Sequence, residues 1–318
     1  MYNQLTSEQR SQIFVLLQKK TSRKEIATLV NVSQSTISRE LKRNSTAKGH
    51  YLWDKAHEKA LTRRRKTILN PQKDRIIIWE ALNLLKEYQW SPKQISGYMK
   101  LQMKNISHEL IYRYIRADET GVLKFNCRHK MKYNRHGRAP RTTKVRNIPN
   151  RTSIHERPAE ADGKRFGDWE MDTIIGKNGK GAILTLTERS TNMLLMEKLP
   201  LGKNPKALAK VAGRLLFPFR ENGVKTITTD NGSEFCDHLS ISKMLKGVTV
   251  YFADSYCSWQ KGAIENANKI IRQYIPKGTD FNDISSEFIK MTQAKINNRP
   301  REKLNFSSPK NVFFSNFC

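Results

Sequence analysis

Three carboxylates in the second half of the chain are candidates for metal-dependent chemistry. Asp172 lies within an apolar and β-branched run, Asp230 ends another such run, and Glu265 lies early in a helical pattern. Carboxylate oxygens suit Mg²⁺, which prefers hard ligands. Two such ions about 4 Å apart can activate an attacking oxygen and stabilise a leaving one. An acidic residue at the end of an element is usually just solvated, so the prediction depends on the elements that would bring the three together.

The region from about residue 166 predicts a mixed sheet with helices packed on it. The predicted strands are 168–175, 182–187, 193–199, 224–229 and 248–252, and the predicted helices are 205–221, 232–245 and 262–274. A glycine-rich stretch at 176–181 predicts a hairpin turn, since no phosphate-loop Lys-Ser/Thr follows it. This order of elements is that of an RNase H-like fold. In that fold the first and fourth strands are neighbours, which would bring the three carboxylates to one edge of the sheet.

Other acids compete for the same roles. Asp168 and Glu170 share strand parity with Asp172 and are expected on its face of the sheet. We interpret Glu234 as a structural residue or one that supports the ligands. Asp254 is the alternative third carboxylate if Glu265 points away.

The first 50 residues predict a helix-turn-helix. Thr6 and Gln9 have the spacing of a capping box, Thr21 can cap a second helix, and Ser33 can cap a third helix that continues through Leu41. Ala27, Asn31 and Ile37 fall where a close helix approach, a turn and a core anchor are needed. The third helix then presents short polar and basic groups that can reach base edges and phosphates. The predicted DNA contacts on it are Gln34, Ser35, Thr36, Ser38, Arg39, Lys42 and Arg43. The alternative is an ordinary three-helix domain with a polar face.

A second helical pair follows a basic connector. Ser91-Pro92 is a good helix start, and Ser107 can cap a further helix. We predict a second helix-turn-helix here, although its longer turn leaves a structural helical hairpin as the alternative. The predicted DNA contacts in this pair are Ser107, His108, Tyr112 and Arg113.

The charge of the chain points to a polyanionic partner. The formal net charge is +29 over 318 residues, and the sequence pI is about 10.1. Cations placed on phosphates release condensed counterions, so nucleic acid is the favoured partner. A membrane is not, because the sequence has no apolar run of about 18 residues, and we expect neither a secretory signal nor a small-molecule substrate.

A basic arm spans residues 124–150, which contain nine Lys or Arg and no Asp or Glu. We predict that it tracks DNA phosphates, the alternative being a solvated linker. The predicted contacts on the arm and around the last helix of the sheet region are Arg128, Lys130, Lys132, Arg135, Arg138, Lys261 and Arg272.

Four cysteines occur, Cys127, Cys236, Cys257 and Cys318, and none forms a CxxC pair. We therefore predict reduced thiols and no zinc site, although Cys127 and His129 have the form of half of one. The expected location is the bacterial cytoplasm, with the nucleoid.

Sequence blocks along nearly the whole chain carry a family resemblance. They are SQSTISREL at 33–41, SPKQI at 91–95, SHELIYRYI at 107–115, IPNR at 148–151, ERP at 156–158, GDWEMD at 167–172, TDNGSEF at 229–235, SWQKG at 258–262, EN at 265–266 and PKGTD at 276–280. With these blocks the chain resembles bacterial insertion-sequence transposases of the DDE class, in the family typified by insertion sequence thirty. Ala263 and Ile264 are more apolar than expected for that family.

The resemblance implies an activity and its partners. It implies two helix-turn-helix units, an RNase H-like (integrase-type) catalytic domain, and transposition through a circular intermediate. It also implies dependence on Mg²⁺, with two ions per active site held by Asp172, Asp230 and Glu265, and Mn²⁺ as the expected substitute. The expected substrates are double-stranded DNA at the terminal inverted repeats and at the target, bound by a homodimer.

The whole sequence therefore predicts a multidomain protein, α followed by α/β. The predicted domains are a helix-turn-helix at 1–50, a basic helical connector at 51–88, a second helix-turn-helix at 89–118, a basic linker at 119–165 and the catalytic domain at 166–318. A DNA-binding regulator without activity is the first alternative, and the three placed carboxylates argue against it. A nuclease that only hydrolyses is the second, and strand joining would separate it from a transposase.

Overall fold

The computed structural model describes residues 4–46, 49–68, 74–128, 130, 148–199, 201–255 and 257–317. The chain forms two compact units, Met1–Lys73 and Asp74–Cys318. The boundary falls inside the predicted connector 51–88. The reason is that the first helix of that connector packs on the N-terminal helices, whereas the second packs on the helices that follow it.

The first unit is a four-helix domain. Its helices are α1 (Ser7–Gln18), α2 (Arg23–Leu29), α3 (Gln34–Asn44) and α4 (Trp53–Ile68). Thr6 and Gln9 form the predicted capping box, and Ser33 caps α3. The predicted cap Thr21 is wrong by one residue, because Ser22 and Glu25 cap each other's backbone N–H groups at the start of α2.

The turn between α2 and α3 has the predicted geometry. Asn31 adopts a left-handed backbone conformation with φ of 54°, which asparagine tolerates better than most residues. Ala27 and Ile37 are buried in the core of the unit. A buried ion pair between Arg10 Nε and Glu40 Oε1, 2.8 Å apart, ties α1 to α3. These contacts confirm the helix-turn-helix that the sequence predicts.

The second unit begins with four more helices around a small apolar core. They are α5 (Arg75–Tyr88), α6 (Pro92–Leu101), α7 (His108–Ala117) and α8 (Val122–Asn126). Ser91 and Ser107 cap α6 and α7 as predicted. Helix α8 begins the segment predicted as a linker at 119–165, and its Leu123 is buried in this core.

The rest of the second unit is a six-stranded mixed sheet. The strands are β1 (Thr152–Ser153), β2 (Asp168–Ile175), β3 (Ala182–Glu188), β4 (Leu194–Leu199), β5 (Thr226–Thr229) and β6 (Thr249–Phe252). Their order is β1-β6-β5-β2-β3-β4. Strands β2, β3 and β4 are antiparallel neighbours, while β2, β5, β6 and β1 run parallel. Strands β2 to β6 thus have the RNase H-like arrangement that the sequence predicts, whereas β1 lies in the predicted linker.

Helices cover both faces of the sheet. They are α9 (Pro205–Leu216), α10 (His238–Met244), α11 (Gly262–Ile271), α12 (Ser286–Asn297) and α13 (Pro309–Phe317). Alternation along β2 separates two cores. Trp169 and Met171 pack with α9, α10 and α13, and Ile174 packs with α11 and α12.

Three features of this region were not predicted. The single helix predicted at 232–245 is wrong, because a short turn at Ser233–Phe235 precedes α10. Helices α12 and α13 were not predicted at all.

Among the helices that the structure describes, none is both long and apolar enough to cross a membrane.

Candidate active site

Asp172 lies near the end of β2 on the face that meets α11. Its Oδ2 accepts a hydrogen bond of 2.8 Å from Nδ2 of Asn268 on α11. Its Oδ1 accepts one of 2.9 Å from the backbone N–H of Thr173. Burial, followed by the negative charge of Asp230, raises the pKa of Asp172 from 3.8 to about 6, against the opposing effect of Lys261. Asp172 is therefore a carboxylate whose charge is only partly neutralised.

Asp230 follows β5, the parallel neighbour of β2. Glu170 pairs in register with Thr228, so the same register, continued by two residues, sets Asp172 opposite Asp230. The backbone N–H of Gly232 donates to Oδ1 of Asp230 at 3.0 Å. Strand pairing therefore brings together two acids that are far apart in the sequence.

Lys261 links the two aspartates. Its Nζ donates to Oδ2 of Asp230 at 3.1 Å and lies 3.9 Å from Oδ1 of Asp172. Lys261 is only 6% exposed. Lys261 was predicted to contact DNA, whereas the structure places its ammonium against the two carboxylates.

Glu265 lies on α11 between two residues that contact the aspartates. Lys261 comes four residues before it and Asn268 three residues after it, and residues at these spacings are neighbours on one side of a helix. Glu265 is half-buried. Within the described part of the chain it has no hydrogen bond or ion pair. Its carboxylate therefore has no partner in the described structure, on a helix that is held to the aspartates on either side of it.

Glu170 holds the start of α11 against β2. Its Oε2 accepts the backbone N–H of Ile264 at 2.8 Å, and its Oε1 pairs with Nε of Arg189 at 2.9 Å. Burial raises the pKa of Glu170, against the lowering by these partners. Sequence reasoning identified its strand parity but not this role, and it missed Asn268 entirely. The signal for Asn268 was its spacing of three from Glu265.

Two of the three predicted metal ligands lie close to each other. Asp172 and Asp230 supply hard oxygen ligands, and they already share one positively charged group, the ammonium of Lys261. Among the described residues, no three acidic, histidine or cysteine side chains are arranged around one point as metal ligands. Glu265 would therefore have to turn toward the aspartates to complete the predicted triad.

The other acids of the region have partners of their own. Asp168 is fully buried and accepts two hydrogen bonds from Arg165. Glu234 accepts from Thr173 and pairs with Lys203. The alternative ligand Asp254 accepts hydrogen bonds from the side chains of His155 and Gln260, and the bond from Gln260 is the largest cause of its lowered pKa.

The predicted DNA contacts on α3 form an accessible surface. The exposed residues are Gln34, Ser35, Arg39, Lys42 and Arg43, and the half-buried ones are Thr36 and Ser38. Among the described residues, Arg39 donates to Ser35 alone, at 3.0 Å and one turn back. Ile37 anchors the opposite side of the helix in the core.

The predicted contacts on α7 are also mostly accessible. Ser107, His108 and Arg113 are exposed, while Tyr112 is half-buried with its ring edge-on to His108.

Of two further predicted DNA contacts, Arg272 is bonded within the chain, whereas Lys130 is exposed. The guanidinium of Arg272 donates to the backbone oxygens of Ile175, Ile275 and Pro276, so it is engaged within the chain. Lys130 is exposed and lies over the ring of Phe125.

Besides Lys130, four predicted contacts belong to the basic arm. Arg128 is half-buried. Lys132, Arg135 and Arg138 lie outside the described residues.

Comparisons with known proteins identify the N-terminal domain and the family. A family model described as a helix-turn-helix domain matches residues 1–44. The transposase for insertion sequence element IS4351 of Bacteroides fragilis is 41% identical, over 98% of this chain and 96% of that protein. Transposase InsI for insertion sequence element IS30A of Escherichia coli is 34% identical, over 97% of this chain and 82% of that protein.

Among solved structures, the catalytic core domain of BIV integrase matches 48% of this chain and 95% of its own, with 17% identity and a TM-score of 0.37. The family assignment does not depend on that match, because the sequence similarity extends over almost the entire chain. The protein belongs to the family of insertion-sequence transposases typified by IS30.

Proposed function

We propose that this protein binds the terminal inverted repeats of an insertion sequence and catalyses Mg²⁺-dependent DNA strand cleavage and strand transfer. The observation that carries the proposal is the pairing of Asp172 with Asp230 across two parallel strands, with one ammonium shared between them. Glu265 stands between the two helix residues that contact this pair. A DNA-binding regulator has no use for such a site.

The residues that would hold the metal are Asp172, Asp230 and Glu265. When bound, Mg²⁺ would supply charge neutralisation at the phosphate and a more acidic attacking oxygen. Asn268 and the N–H of Thr173 orient the Asp172 carboxylate, and the N–H of Gly232 orients Asp230.

The proposed chemistry consists of two displacements at phosphorus. In the first, water attacks a phosphodiester at the end of the element and leaves a free 3′-hydroxyl. In the second, that hydroxyl attacks another phosphodiester, and a new bond forms as the old one breaks. Neither step requires a covalent enzyme intermediate, because positioning and charge stabilisation carry phosphoryl transfer. Since two DNA ends must be joined, we propose a homodimer on DNA.

Alanine substitution of each triad residue tests the catalytic assignment. Asp172→Ala, Asp230→Ala and Glu265→Ala should each abolish cleavage of DNA that carries the element ends, while duplex binding stays near the wild-type level. Asp254→Ala is the matched control and should keep cleavage, because its carboxylate is bound to His155 and Gln260. Full cleavage by Glu265→Ala together with loss in Asp254→Ala would instead make Asp254 the third ligand.

Strand joining separates a transposase from a nuclease. The wild-type protein should transfer a 3′-hydroxyl element end into a second duplex. Hydrolysis without any joined product would contradict the transposase proposal and leave a nuclease.

Helix α3 is the proposed reader of the terminal repeat. Arg39→Ala should reduce discrimination between repeat and random duplex by roughly 1–3 kcal/mol if its guanidinium makes a bidentate base contact. An equal loss of affinity for both duplexes would make Arg39 a phosphate contact. The exposed Lys19, in the turn after α1, provides a control cation outside α3.

A further inference from the structure

Three arginines lie together where helices of the second unit end. Arg128 follows α8, and Arg299 and Arg301 follow α12. Burial, followed by the charges of Arg299 and Arg128, lowers the pKa of Arg301 to about 10. Burial and the charge of Arg299 also lower the pKa of Arg128. Gln273 connects the two helix ends, because its Oε1 accepts hydrogen bonds from Arg299 and its Nε2 donates to the backbone oxygen of Asn126, two residues before Arg128.

The guanidinium groups of this cluster are incompletely hydrogen-bonded among the described residues. The Nε atoms of Arg128, Arg299 and Arg301 are all buried, and none has a hydrogen-bond partner in the described part of the chain. Arg299 is 3% exposed, and only its terminal nitrogens are used, by Gln273 and the hydroxyl of Tyr274. An unpaired buried charge is costly, and buried polar groups are normally bonded.

Within the described ranges, no carboxylate pairs with Arg128, Arg299 or Arg301. Glu302, the residue after Arg301, pairs instead with Lys93 at 2.7 Å. The sequence next to Arg128 cannot help, because residues 124–150 contain no Asp or Glu. Among the described residues, neither Arg128 nor Arg301 forms an ion pair or a side-chain hydrogen bond.

Helix ends offset only part of this charge. The C-terminal ends of α11 and α12 contribute roughly half a negative charge each, against three positive charges. They also provide no acceptor for the three Nε atoms. What remains is a concentrated positive charge with directed donors, which is what an oxyanion with several acceptor oxygens requires.

We propose that Arg128, Arg299 and Arg301 together bind one phosphate of the DNA backbone. The inference rests on the proposed function for its source of phosphate. Helix α11 connects this site to the carboxylates, since Lys261 precedes its start and Gln273, which contacts Arg299, follows its end. A phosphate held here would tie the helices α5–α8, through Arg128, to the sheet. It would also fix the position of the duplex relative to the active site, as phosphate contacts do.

Binding of a random-sequence duplex by the full-length protein as a function of salt tests the site. Arg301→Gln should flatten the log-log salt slope by about 0.9, the value for one phosphate. Arg128→Gln, which changes a half-buried side chain, should do the same. The double variant should lose no more than either single variant, because both residues serve one phosphate. Lys290→Gln, an exposed cation of α12, should keep the wild-type slope.

Inorganic phosphate tests the site without DNA. It should raise the melting temperature of the wild-type protein above that in chloride at equal ionic strength, and it should have no such effect on Arg301→Gln. In chloride, Arg301→Gln should be at least as stable as the wild type because repulsion is relieved. If Arg301 had a purely structural role, Arg301→Gln would instead be less stable than the wild type in chloride.

The outcomes separate the two proposals. A wild-type salt slope and phosphate response in Arg301→Gln would overturn the site, and additive slope losses in the double variant would overturn the single shared phosphate. Failure of both the wild type and Lys290→Gln to bind any duplex would contradict the proposed function. The inorganic phosphate measurement would still decide the site.

Discussion

The acids in the two halves of strand β2 differ in how many positively charged and hydrogen-bonding partners they have. In the first half, Asp168 is fully buried, accepts two hydrogen bonds from Arg165 at 3.0 and 2.7 Å, and accepts a third from Thr226. Near the other end, Asp172 shares a single lysine with Asp230, and its pKa is raised to about 6. Alternate residues on one face of one strand therefore differ in how completely their charge is neutralised.

The difference lies in the number of cations that each acid contacts. Arg165 reaches Asp168 from the turn just before β2, and Arg189 reaches Glu170 from the turn after β3. Near the far end of β2, Lys261 is the single cation within ion-pair distance of Asp172 among the described residues. An acid left short of positive charge is stabilised when a cation binds, whereas a fully paired acid gains little.

The largest expected effect in this comparison is that of Asp168→Asn. The substitution leaves Arg165 without its buried partner, so the free energy of unfolding should fall by about 3–5 kcal/mol. Urea denaturation measures the change. Asp162→Asn, at an exposed acid near Lys164, is the control and should stay within about 0.5 kcal/mol of the wild type. A loss for Asp168→Asn no larger than that of the control would break the comparison.

Asp172→Asn should change stability in the opposite direction. A raised pKa means that ionisation of Asp172 disfavours the folded state, and this penalty develops as the pH rises from its ordinary pKa of 3.8 through about 6. The asparagine variant avoids the penalty, so without divalent cations it should be about 1–3 kcal/mol more stable than the wild type above that range. Below the ordinary pKa the difference should vanish.

Denaturation curves collected across this pH range would measure the difference. Mg²⁺ should then stabilise the wild type and leave Asp172→Asn unchanged. A variant less stable than the wild type at neutral pH would show that Asp172 is a structural acid like Asp168.

The smallest expected effect on stability is that of Glu265→Gln. Its carboxylate is half-buried and makes no hydrogen bond or ion pair within the part of the chain that the structure describes. The amide should therefore change the free energy of unfolding by no more than about 0.5 kcal/mol, while cleavage of element-end DNA is lost. A large loss of stability with cleavage retained would place Glu265 with Asp168 among the structural acids.

Local patterns were predicted well because they depend on neighbouring residues. The capping box at Thr6 and the caps Ser33, Ser91 and Ser107 are set by residues three positions away. The alternation of side chains along β2 predicted which of its residues share a face. The order of strands and helices in the sequence predicted the RNase H-like sheet. The assignment of Asp172, Asp230 and Glu265 as metal ligands stays a prediction.

The errors and omissions fall where distant segments meet. Strand β1 has two residues and, of the described strands, pairs with β6 alone, so no periodic pattern marks it. Helices α12 and α13 complete opposite cores of the sheet, and their partners lie far away in the sequence. The predicted connector was divided because packing assigned α4 and α5 to different units.

The sequence by itself determined the helix caps, the strand faces, the positive charge, the family and the three carboxylate positions, because these follow from residue types at short and regular spacing. Tertiary structure alone decided which partner each side chain meets. It placed Lys261 between two aspartates from different strands and attached Glu170 to the start of α11. It also gathered Arg128 with two arginines more than 150 residues away. Such contacts depend on which surfaces pack together, and no local pattern of residues contains that information.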